Sequence, residues 1–358
     1  MKRRSIIVGG IIVLGMTAAL YFFLRPVSPP SRMVSSPSLE SEMWRAFASR
    51  FASDGRIIDR DNGGISHSEG QGYGMLLAEA AADRAAFEAI WLWTRNHLLR
   101  ADMLFSWRFG PCDANPDGCV TDVNNATDGD ILIAWALLRA AERWNIPEYN
   151  ETARRIVSAL EKLAVVKRDD RFLLLPGLAG FVEAQAITVN LSYWIFPAFK
   201  AFATKFDAPI WRDVAESGRD LIGQARFGPR KLPPDWLEVD TKGVRPSPKF
   251  EPLYGFNAIR IPLHLVWAGE TSNALFKPYL DFWAAAGNAA PAWVNLADDS
   301  TAEYGLSTGA ASIASITIDR VAGRRMTAAA MPTPGKDDGY FSWSMALLTR
   351  VALRELDP

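Results

Sequence analysis

Apolar residues recur at helical spacing along most of the chain. Leu39, Met43, Trp44, Phe47 and Phe51 lie on one face of a helix that the sequence predicts near residue 39. The same spacing predicts helices over 72–82, 84–99, 127–145, 148–165, 190–205, 208–224, 256–269, 273–286, 305–318 and 340–355. Strand-like runs are short, at 172–175 and 237–240. The pattern therefore predicts an all-α protein.

The predicted helices come at about one pair for every 50–60 residues, which is the density of a ring of helical hairpins. An open solenoid would give a similar count, but the sequence has no self-similarity at a fixed period. We therefore expect residues 36–358 to form one closed α/α barrel. The loops rich in Gly, Pro, Asn and Asp would frame an elongated cleft at one end of it; they are 52–68, 106–126, 225–255 and 287–304.

The N-terminal 35 residues are expected to stand apart from this barrel. A basic start precedes an uncharged run of 19 residues from Ile6 to Leu24, and a Pro/Ser-rich stretch follows. Such a run is long enough to span a bilayer. A cleaved signal peptide and an uncleaved anchor both fit, and the bulky end of the run favours the anchor. Either way, the rest of the chain is expected to be exported, to the periplasm or beyond the cell.

The net charge and the composition of the chain indicate which kinds of molecule it is expected to bind. The formal net charge is −1, and the first 35 residues hold five bases and no acid, so the exported part is mildly acidic. A nucleic-acid partner is therefore not expected, because phosphate polymers are met by basic surfaces. The 13 Trp residues are a large number for a soluble domain. They suit either a large helical core or an aromatic platform for sugar rings.

The positions of the Cys, His and Asp residues bear on disulfide and metal chemistry. Cys112 and Cys119 are the two cysteines and are close enough in sequence to pin a hairpin as a disulfide in an oxidising compartment. The residues between them resemble the front of a calcium loop, but its twelfth position is Asn124 and not Glu. The three histidines lack ligand spacing, so no metal site is expected.

Two segments contain acidic residues that are candidates for a catalytic role. Glu69 lies among Gly and other small residues just before an apolar helix, where partial desolvation suits a general acid. It would equally suit a helix N-terminus through the dipole alone. Asp128 and Asp130 flank Gly129 at the start of another predicted helix. One acid there is explained by capping, but two exceed what capping requires.

These segments resemble glycoside hydrolase family 8. The stretch Ala126-Thr-Asp-Gly-Asp130, continued to Trp144, is similar to the family signature, and Ser68-Glu-Gly-Gln-x-Tyr-Gly-Met75 is similar to a second hallmark. Further similarity occurs at 175–181, 190–193, 234–236 and 257–260. The resemblance is greatest to endoglucanases that accompany bacterial cellulose synthesis. It implies an (α/α)6 barrel, endo-hydrolysis of β-1,4-glucans with inversion at the anomeric carbon, and no cofactor.

The resemblance also implies roles for individual residues. Glu69 matches the general acid, and Asp128 matches an acid that binds and distorts the sugar. The base of the best-known branch is replaced here by Asn257, which can orient a water molecule but cannot take its proton. The base is therefore expected elsewhere, and the candidates are Asp240, Glu251, Asp298, Asp299 and Glu303.

Arg260 is expected to hold an acid of the site through a paired contact. The aromatic residues expected to touch sugar are Tyr73, Trp107, Tyr193, Trp194, Trp236 and Tyr254. The sequence leaves open whether the substrate is cellulose, chitosan or xylan. It also leaves open a weakly catalytic accessory protein that guides glucan beside a cellulose synthase complex.

Overall fold

The computed structural model describes residues 39–113 and 115–357. The uncharged run at 6–24, with its predicted role as a signal or an anchor, lies outside these residues. From Leu39 onward the chain forms one compact unit. Within the described ranges, no helix combines the length and the apolar character needed to cross a membrane.

Eleven α-helices carry the architecture of the described residues. They are α1 Leu39–Phe51, α2 Ser68–Ala80, α3 Arg84–His97, α4 Thr127–Trp144, α5 Pro147–Leu163, α6 Phe196–Lys205, α7 Ile210–Gln224, α8 Ile261–Trp267, α9 Asn273–Ala286, α10 Thr308–Val321 and α11 Tyr340–Leu356. The prediction of an all-α protein is confirmed.

The helices form two concentric rings. In the inner ring α2, α4, α6, α8, α10 and α11 contact one another in that order, and α11 closes the ring by contacting α2. Outside them, α3 packs on α2, α5 on α4, α7 on α6, α9 on α10 and α1 on α11. The expected (α/α)6 barrel is therefore confirmed, and the contact between α1 and α11 joins the two ends of the described chain.

The two rings differ in sequence for a physical reason. Twelve of the 13 residues of α2 are buried, because an inner helix is covered on nearly every side. Its glycines permit close packing: a Cβ atom at Gly72 would lie 2.5 Å from Cβ of Leu132 on α4. The outer helix α5 instead buries one stripe, Ala153, Ile156, Val157 and Leu160, and its other residues are partly or fully exposed.

Twelve short strands lie between the helices. They are β1 Ala52–Ser53, β2 Arg56–Ile57, β3 Ser66–His67, β4 Ser106–Cys112, β5 Asn115–Asn125, β6 Val165–Arg168, β7 Arg171–Leu174, β8 Ala186–Val189, β9 Leu237–Asp240, β10 Gly243–Pro246, β11 Leu253–Tyr254 and β12 Val294–Asn295. All pairs are antiparallel, and the two three-stranded sheets have the orders β3-β4-β5 and β8-β9-β10.

The β4–β5 hairpin corrects the prediction of a loop over 106–126. Its polar residues and turn formers hide the strands, and three register shifts interrupt their pairing. Cys112 and Cys119 are joined in a disulfide across this hairpin, with their Cα atoms 6.0 Å apart. Since β4 also pairs with β3, the hairpin is attached to the two residues that precede α2.

Two predicted helices begin later than expected. The helix predicted over 190–205 starts at Phe196, after a 3-10 turn at Leu191–Tyr193. The helix predicted over 256–269 is a 3-10 turn at Ala258–Arg260 followed by α8. In both cases a proline occupies the first turn, where its missing N–H leaves no bond unmade. These late starts leave residues 190–195 and 255–260 irregular at one end of the ring.

Candidate active site

The N-termini of the inner helices α2 and α4 lie against each other. A Cβ atom at Gly129 would stand 2.2 Å from Oγ of Ser68 and 2.7 Å from the backbone nitrogen of Glu69. No residue larger than glycine fits this contact without moving one of the helices. The close packing brings together Glu69, in the first turn of α2, and Asp128, in the first turn of α4.

Arg260 connects the two acids. Its Nη1 donates to Glu69 Oε1 and to the Tyr73 hydroxyl, at 2.9 Å for the latter, and lies 3.7 Å from Asp128 Oδ2. Tyr73 in turn donates to Glu69 Oε1 at 2.9 Å. The arginine side chain is only 6% exposed. Burial lowers the pKa of Arg260 to about 10, so the guanidinium remains charged at neutral pH.

These contacts occupy one oxygen of Glu69 and leave the other for a ligand. Both Tyr73 and Arg260 bind Oε1. His67 Nδ1 lies 3.7 Å from Oε2, but this nitrogen accepts a hydrogen bond from the backbone N–H of Gly70 at 3.0 Å. The Glu69 side chain is 21% exposed, so its carboxyl group is accessible from solvent. A carboxyl group that is held on one side and open on the other suits proton transfer to a bound substrate.

Asp128 is almost completely buried beside the same arginine. Its Oδ1 accepts from the backbone N–H of Gly129 at 2.8 Å, and burial raises its pKa to about 7. Burial raises the pKa of the Tyr193 phenol, and the nearby negative charge of Asp128 raises it further. Since Arg260 Nη1 reaches both acids, their nearest oxygens are within about 6 Å of each other.

The position of Asp128 close to Glu69 bears on its role in catalysis. An inverting glycosidase keeps its two catalytic carboxyl groups roughly 6.5–9.5 Å apart, so that a water molecule fits on the far side of the sugar. Glu69 and Asp128 instead converge on the same guanidinium nitrogen of Arg260 and so lie on one side of the cluster. The geometry therefore favours the prediction that Asp128 contacts sugar and balances charge, with the base located elsewhere.

Asp130 belongs to the scaffold of the site. Its Oδ1 accepts from the backbone N–H of Phe105 at 2.8 Å, and its Oδ2 accepts from Nδ2 of Asn125 at 2.7 Å. The side chain is fully buried, and burial raises its pKa to about 7. Asp130 thereby ties the start of α4 to the end of β5. This structural role explains the second acid of the Asp-Gly-Asp segment.

Asn257 completes the cluster on the side away from Glu69. Its Oδ1 accepts from Arg260 Nη2 at 2.7 Å and from Asn190 Nδ2 at 3.0 Å. Its amide also lies beside Asp235, whose Oδ1 accepts from the backbone N–H groups of Gly255 at 3.0 Å and Ala258 at 2.7 Å. Burial raises the pKa of Asp235 to about 6.

Sequence reasoning missed Asp235 as a functional candidate. The available signal was its position between Pro234 and Trp236, inside a segment that carries the family resemblance.

The predicted base candidates make their contacts elsewhere. Asp299 Oδ1 accepts from Arg230 at 2.8 Å, and Asp240 pairs with Arg245 across the β9–β10 turn. Asp298 accepts from Ser300 at 2.9 Å, and both Glu251 and Glu303 are exposed. The structure does not bring these acids together with Glu69, Asp128 and Arg260.

Three of the predicted sugar-stacking residues are buried. Tyr73 is only 2% exposed and reaches the site through its hydroxyl, not through its ring. Trp194 is fully buried, donates from its indole nitrogen to the carbonyl of Val214 at 2.8 Å, and packs against Gly218 of α7. Tyr254 is also fully buried and packs against Tyr279 and Phe282. None of the three rings offers a face to a ligand, so these three predictions of sugar stacking are wrong. Their place within matched motifs gave no information about burial.

Trp236 belongs to an aromatic stack that the sequence did not reveal. Its indole stacks with Phe181, with ring centroids 5.7 Å apart, and with Phe250, at 4.3 Å, and is nearly parallel to both rings. Tyr193 meets the same indole edge-on at 6.4 Å. Phe250 is 39% exposed, and Trp236 and Phe181 are partly exposed, so this stack offers aromatic surface to a ligand. Trp107 is partly exposed beside Arg108.

Comparison with known proteins decides the family. The model of the glycosyl hydrolases family 8 matches residues 30–354. The chain belongs to glycosyl hydrolase family 8. It is therefore a glycoside hydrolase, and the resemblance seen in the sequence is confirmed.

The family 8 relatives are similar over nearly the whole chain. A probable endoglucanase of Novacetimonas hansenii is 37% identical over 326 residues, which are 89% of this chain and 92% of the relative. An endoglucanase of Cellulomonas uda is 37% identical over 305 residues, or 84% of each. The solved endo-β-1,4-glucanase CMCax of Acetobacter xylinum is 36% identical, with a TM-score of 0.82, covering 89% of this chain and 99% of that one.

Proposed function

We propose that this family 8 hydrolase is an endo-β-1,4-glucanase that cuts internal bonds of cellulose or a related β-glucan with inversion. The observation that carries this proposal is the arginine-linked pair of acids, Glu69 and Asp128, at the touching N-termini of two inner helices. The endoglucanases named above, each similar over most of its length, support the choice of a β-1,4-glucan.

The proposed reaction uses Glu69 as the general acid. Its open Oε2 gives a proton to the glycosidic oxygen as the bond to the anomeric carbon breaks, while Tyr73 and Arg260 hold Oε1. Asp128 binds the sugar before the cut and balances the positive charge that develops on its ring. A water molecule on the opposite face then attacks the anomeric carbon, which inverts the configuration. No cofactor enters this scheme.

The proposed setting is outside the cytoplasm. The basic start and the uncharged run at 6–24 support export, as a secreted or periplasmic enzyme or one anchored in the inner membrane. The resemblance to endoglucanases that accompany cellulose synthesis supports a role in trimming nascent glucan beside a cellulose synthase complex.

A comparison of polymers tests the proposed function. Reducing ends and viscosity are measured on carboxymethyl-cellulose, chitosan and xylan with the wild type and with Glu69→Gln. We expect carboxymethyl-cellulose to be cut fastest, with viscosity falling well before many reducing ends appear. Glu69→Gln should lose activity by about 10²–10⁴-fold, because it cannot donate the proton.

The other outcomes of this comparison are equally decisive. Preferential cutting of chitosan or xylan would replace the glucan substrate. A wild type that binds glucan but cuts none of the three polymers would make the protein an accessory binding component. Full activity in Glu69→Gln would overturn the assignment of the acid.

A further inference from the structure

The general base, which accepts a proton from the attacking water, is the one role in the proposed reaction that has not yet been assigned to a residue. An inverting cut needs a carboxylate that takes a proton from the attacking water, and Asn257 cannot do this. Asp128 converges with Glu69 on the same nitrogen of Arg260, while Asp240 and Asp299 pair with arginines outside the cluster. A carboxylate that faces the same cluster from another side would meet this need.

Asp235 is the carboxylate in contact with the Asn257 side of the cluster. Starting from Glu69, an unbroken series of contacts runs through Arg260 and Asn257 to Asp235. A guanidinium and an amide therefore separate the two carboxyl groups, whereas Glu69 and Asp128 are separated by a single shared nitrogen. The longer separation provides the space for water that an inverting pair requires.

The two oxygens of Asp235 have different surroundings. Oδ1 accepts both backbone hydrogen bonds, from Gly255 and Ala258. Oδ2 lies over Gly255, where a Cβ atom would approach to 2.9 Å. A residue larger than glycine at position 255 would thus press on this oxygen. Oδ1 is fixed to the 255–258 turn, Asn257 also donates a hydrogen bond to the carboxyl group from its side chain, and the residue as a whole is partly exposed.

We propose that Asp235 is the general base of this enzyme and that Asn257 orients the attacking water beside it. The water oxygen bonds to the anomeric carbon while one of its protons passes to Oδ2 of Asp235. The bond between that carbon and the leaving oxygen breaks, and the leaving oxygen takes the proton of Glu69. This inference rests on the proposed hydrolysis with inversion.

The burial of Asp235 is consistent with this role. Burial raises its pKa to about 6, which keeps the group ionised at neutral pH and makes it a better proton acceptor than an exposed carboxylate. The residues that hydrogen-bond its carboxyl group, Gly255, Asn257 and Ala258, contribute no charge.

The first test is Asp235→Asn, which keeps the shape of the side chain and an oxygen for the 255–258 turn. We expect kcat on a soluble cello-oligosaccharide to fall about 10²–10⁴-fold, with KM changed less than about threefold. Asp213→Asn, on the exposed face of α7, is the control and should keep wild-type kinetics. A kcat for Asp235→Asn within threefold of the wild type would overturn the proposal.

Rescue by azide separates a base from a residue that only supports the fold. In Asp235→Ala, azide needs no base to attack, so it should raise turnover at least tenfold and yield an α-glycosyl azide. Azide rescue of Asp240→Ala, Glu303→Ala or Asp299→Ala in place of Asp235→Ala would transfer the role to that residue. A large loss in Asp235→Ala without rescue, accompanied by a lower melting temperature, would assign Asp235 to the fold and overturn the proposal.

If the single variants fold poorly, a double variant that exchanges the side chains of Asp235 and Asn257 still tests the proposal. Asp235→Asn combined with Asn257→Asp preserves the acid–amide contact and returns a carboxylate to the cluster. We expect this double variant to exceed Asp235→Asn at least tenfold in kcat, and no gain would count against the proposal. If Glu69→Gln is inactive while Asp235→Asn stays active, only the assignment of Asp235 as the base fails. If the wild type itself is inactive, the proposed function fails.

Discussion

At the scale of single residues, one guanidinium organises the site. Arg260 touches Glu69, Tyr73 and Asn257 and lies 3.7 Å from Asp128. A buried charge is tolerated only when opposite charges and hydrogen-bond acceptors surround it, and these residues supply them. Arg260 therefore fixes the geometry of both acids at once.

The Tyr73 hydroxyl is predicted to matter for catalysis through Glu69. Tyr73→Phe removes the donor to Glu69 Oε1 and an acceptor for Arg260, so the carboxyl group loses one of the two contacts that orient it. We expect kcat on a soluble β-glucan to fall about 10–100-fold, with little change in KM. Steady-state kinetics measure both quantities.

Tyr254→Phe is the matched control. The Tyr254 hydroxyl is buried and has no hydrogen-bond partner among the described residues, so its removal should leave kcat unchanged and stability equal or slightly higher. Equal losses of activity in the two variants would contradict the assigned role of Tyr73.

Residue roles were only partly predictable from the sequence. Motif spacing was sufficient to select Glu69, Asp128 and Arg260, and the structure brings these three together. Motif position could not reveal that Trp194 and Tyr254 point into the core, because burial depends on which helix packs behind them. Asp235 was missed because its interaction with Asn257 depends on how the chain folds between the two residues.

At the scale of elements, the site depends on how closely two inner helices approach. Gly129 has no side chain where α4 meets Ser68 and Glu69. Gly129→Ala should force the helix ends apart by several tenths of an ångström or more. We expect at least a tenfold loss of kcat and a lower melting temperature, measured by kinetics and by thermal unfolding.

Gly223→Ala is the control for this prediction. Gly223 is an exposed glycine of α7, and a Cβ atom there meets only one carbon, at 4.0 Å. Alanine should stabilise this helix by about 0.5–1 kcal/mol and leave activity unchanged. A Gly129→Ala variant that behaves like Gly223→Ala would show that the helix contact is not needed.

The sequence pattern predicted the helices better than it predicted the β4–β5 hairpin. Inner and outer helices carry long apolar periodicity, which predicts them reliably. The β4–β5 hairpin has polar residues on both strands and irregular register, so its sequence resembles that of a loop. It forms because β4 also pairs with β3, a contact that the local sequence does not specify.

At the scale of the whole molecule, the buried acids link folding to pH. Burial raises the pKa of Asp128 from its ordinary value of 3.8 to about 7. The folded chain therefore holds a proton that the unfolded chain releases, and the wild type loses stability as pH rises from about 4 through 7. The site thus has a cost in stability at neutral pH.

Asp128→Asn should remove this dependence while weakening catalysis. Its free energy of unfolding relative to the wild type should increase from pH 5 to pH 8 by about 3 kcal/mol, because about two pKa units are traversed and each corresponds to about 1.4 kcal/mol. Melting temperatures at the two pH values measure the effect, with exposed Asp213→Asn as the control. A constant difference between Asp128→Asn and the wild type would contradict the linkage.

The stereochemistry of the first product tests the central claim most directly. If Glu69 is the acid and water attacks from the opposite face, proton NMR during hydrolysis of cellohexaose should show the α-anomer first, with the β-anomer growing later by mutarotation. First appearance of the β-anomer would mean a covalent intermediate on a close carboxylate such as Asp128. That result would contradict both the inverting reaction and a base separated from Glu69.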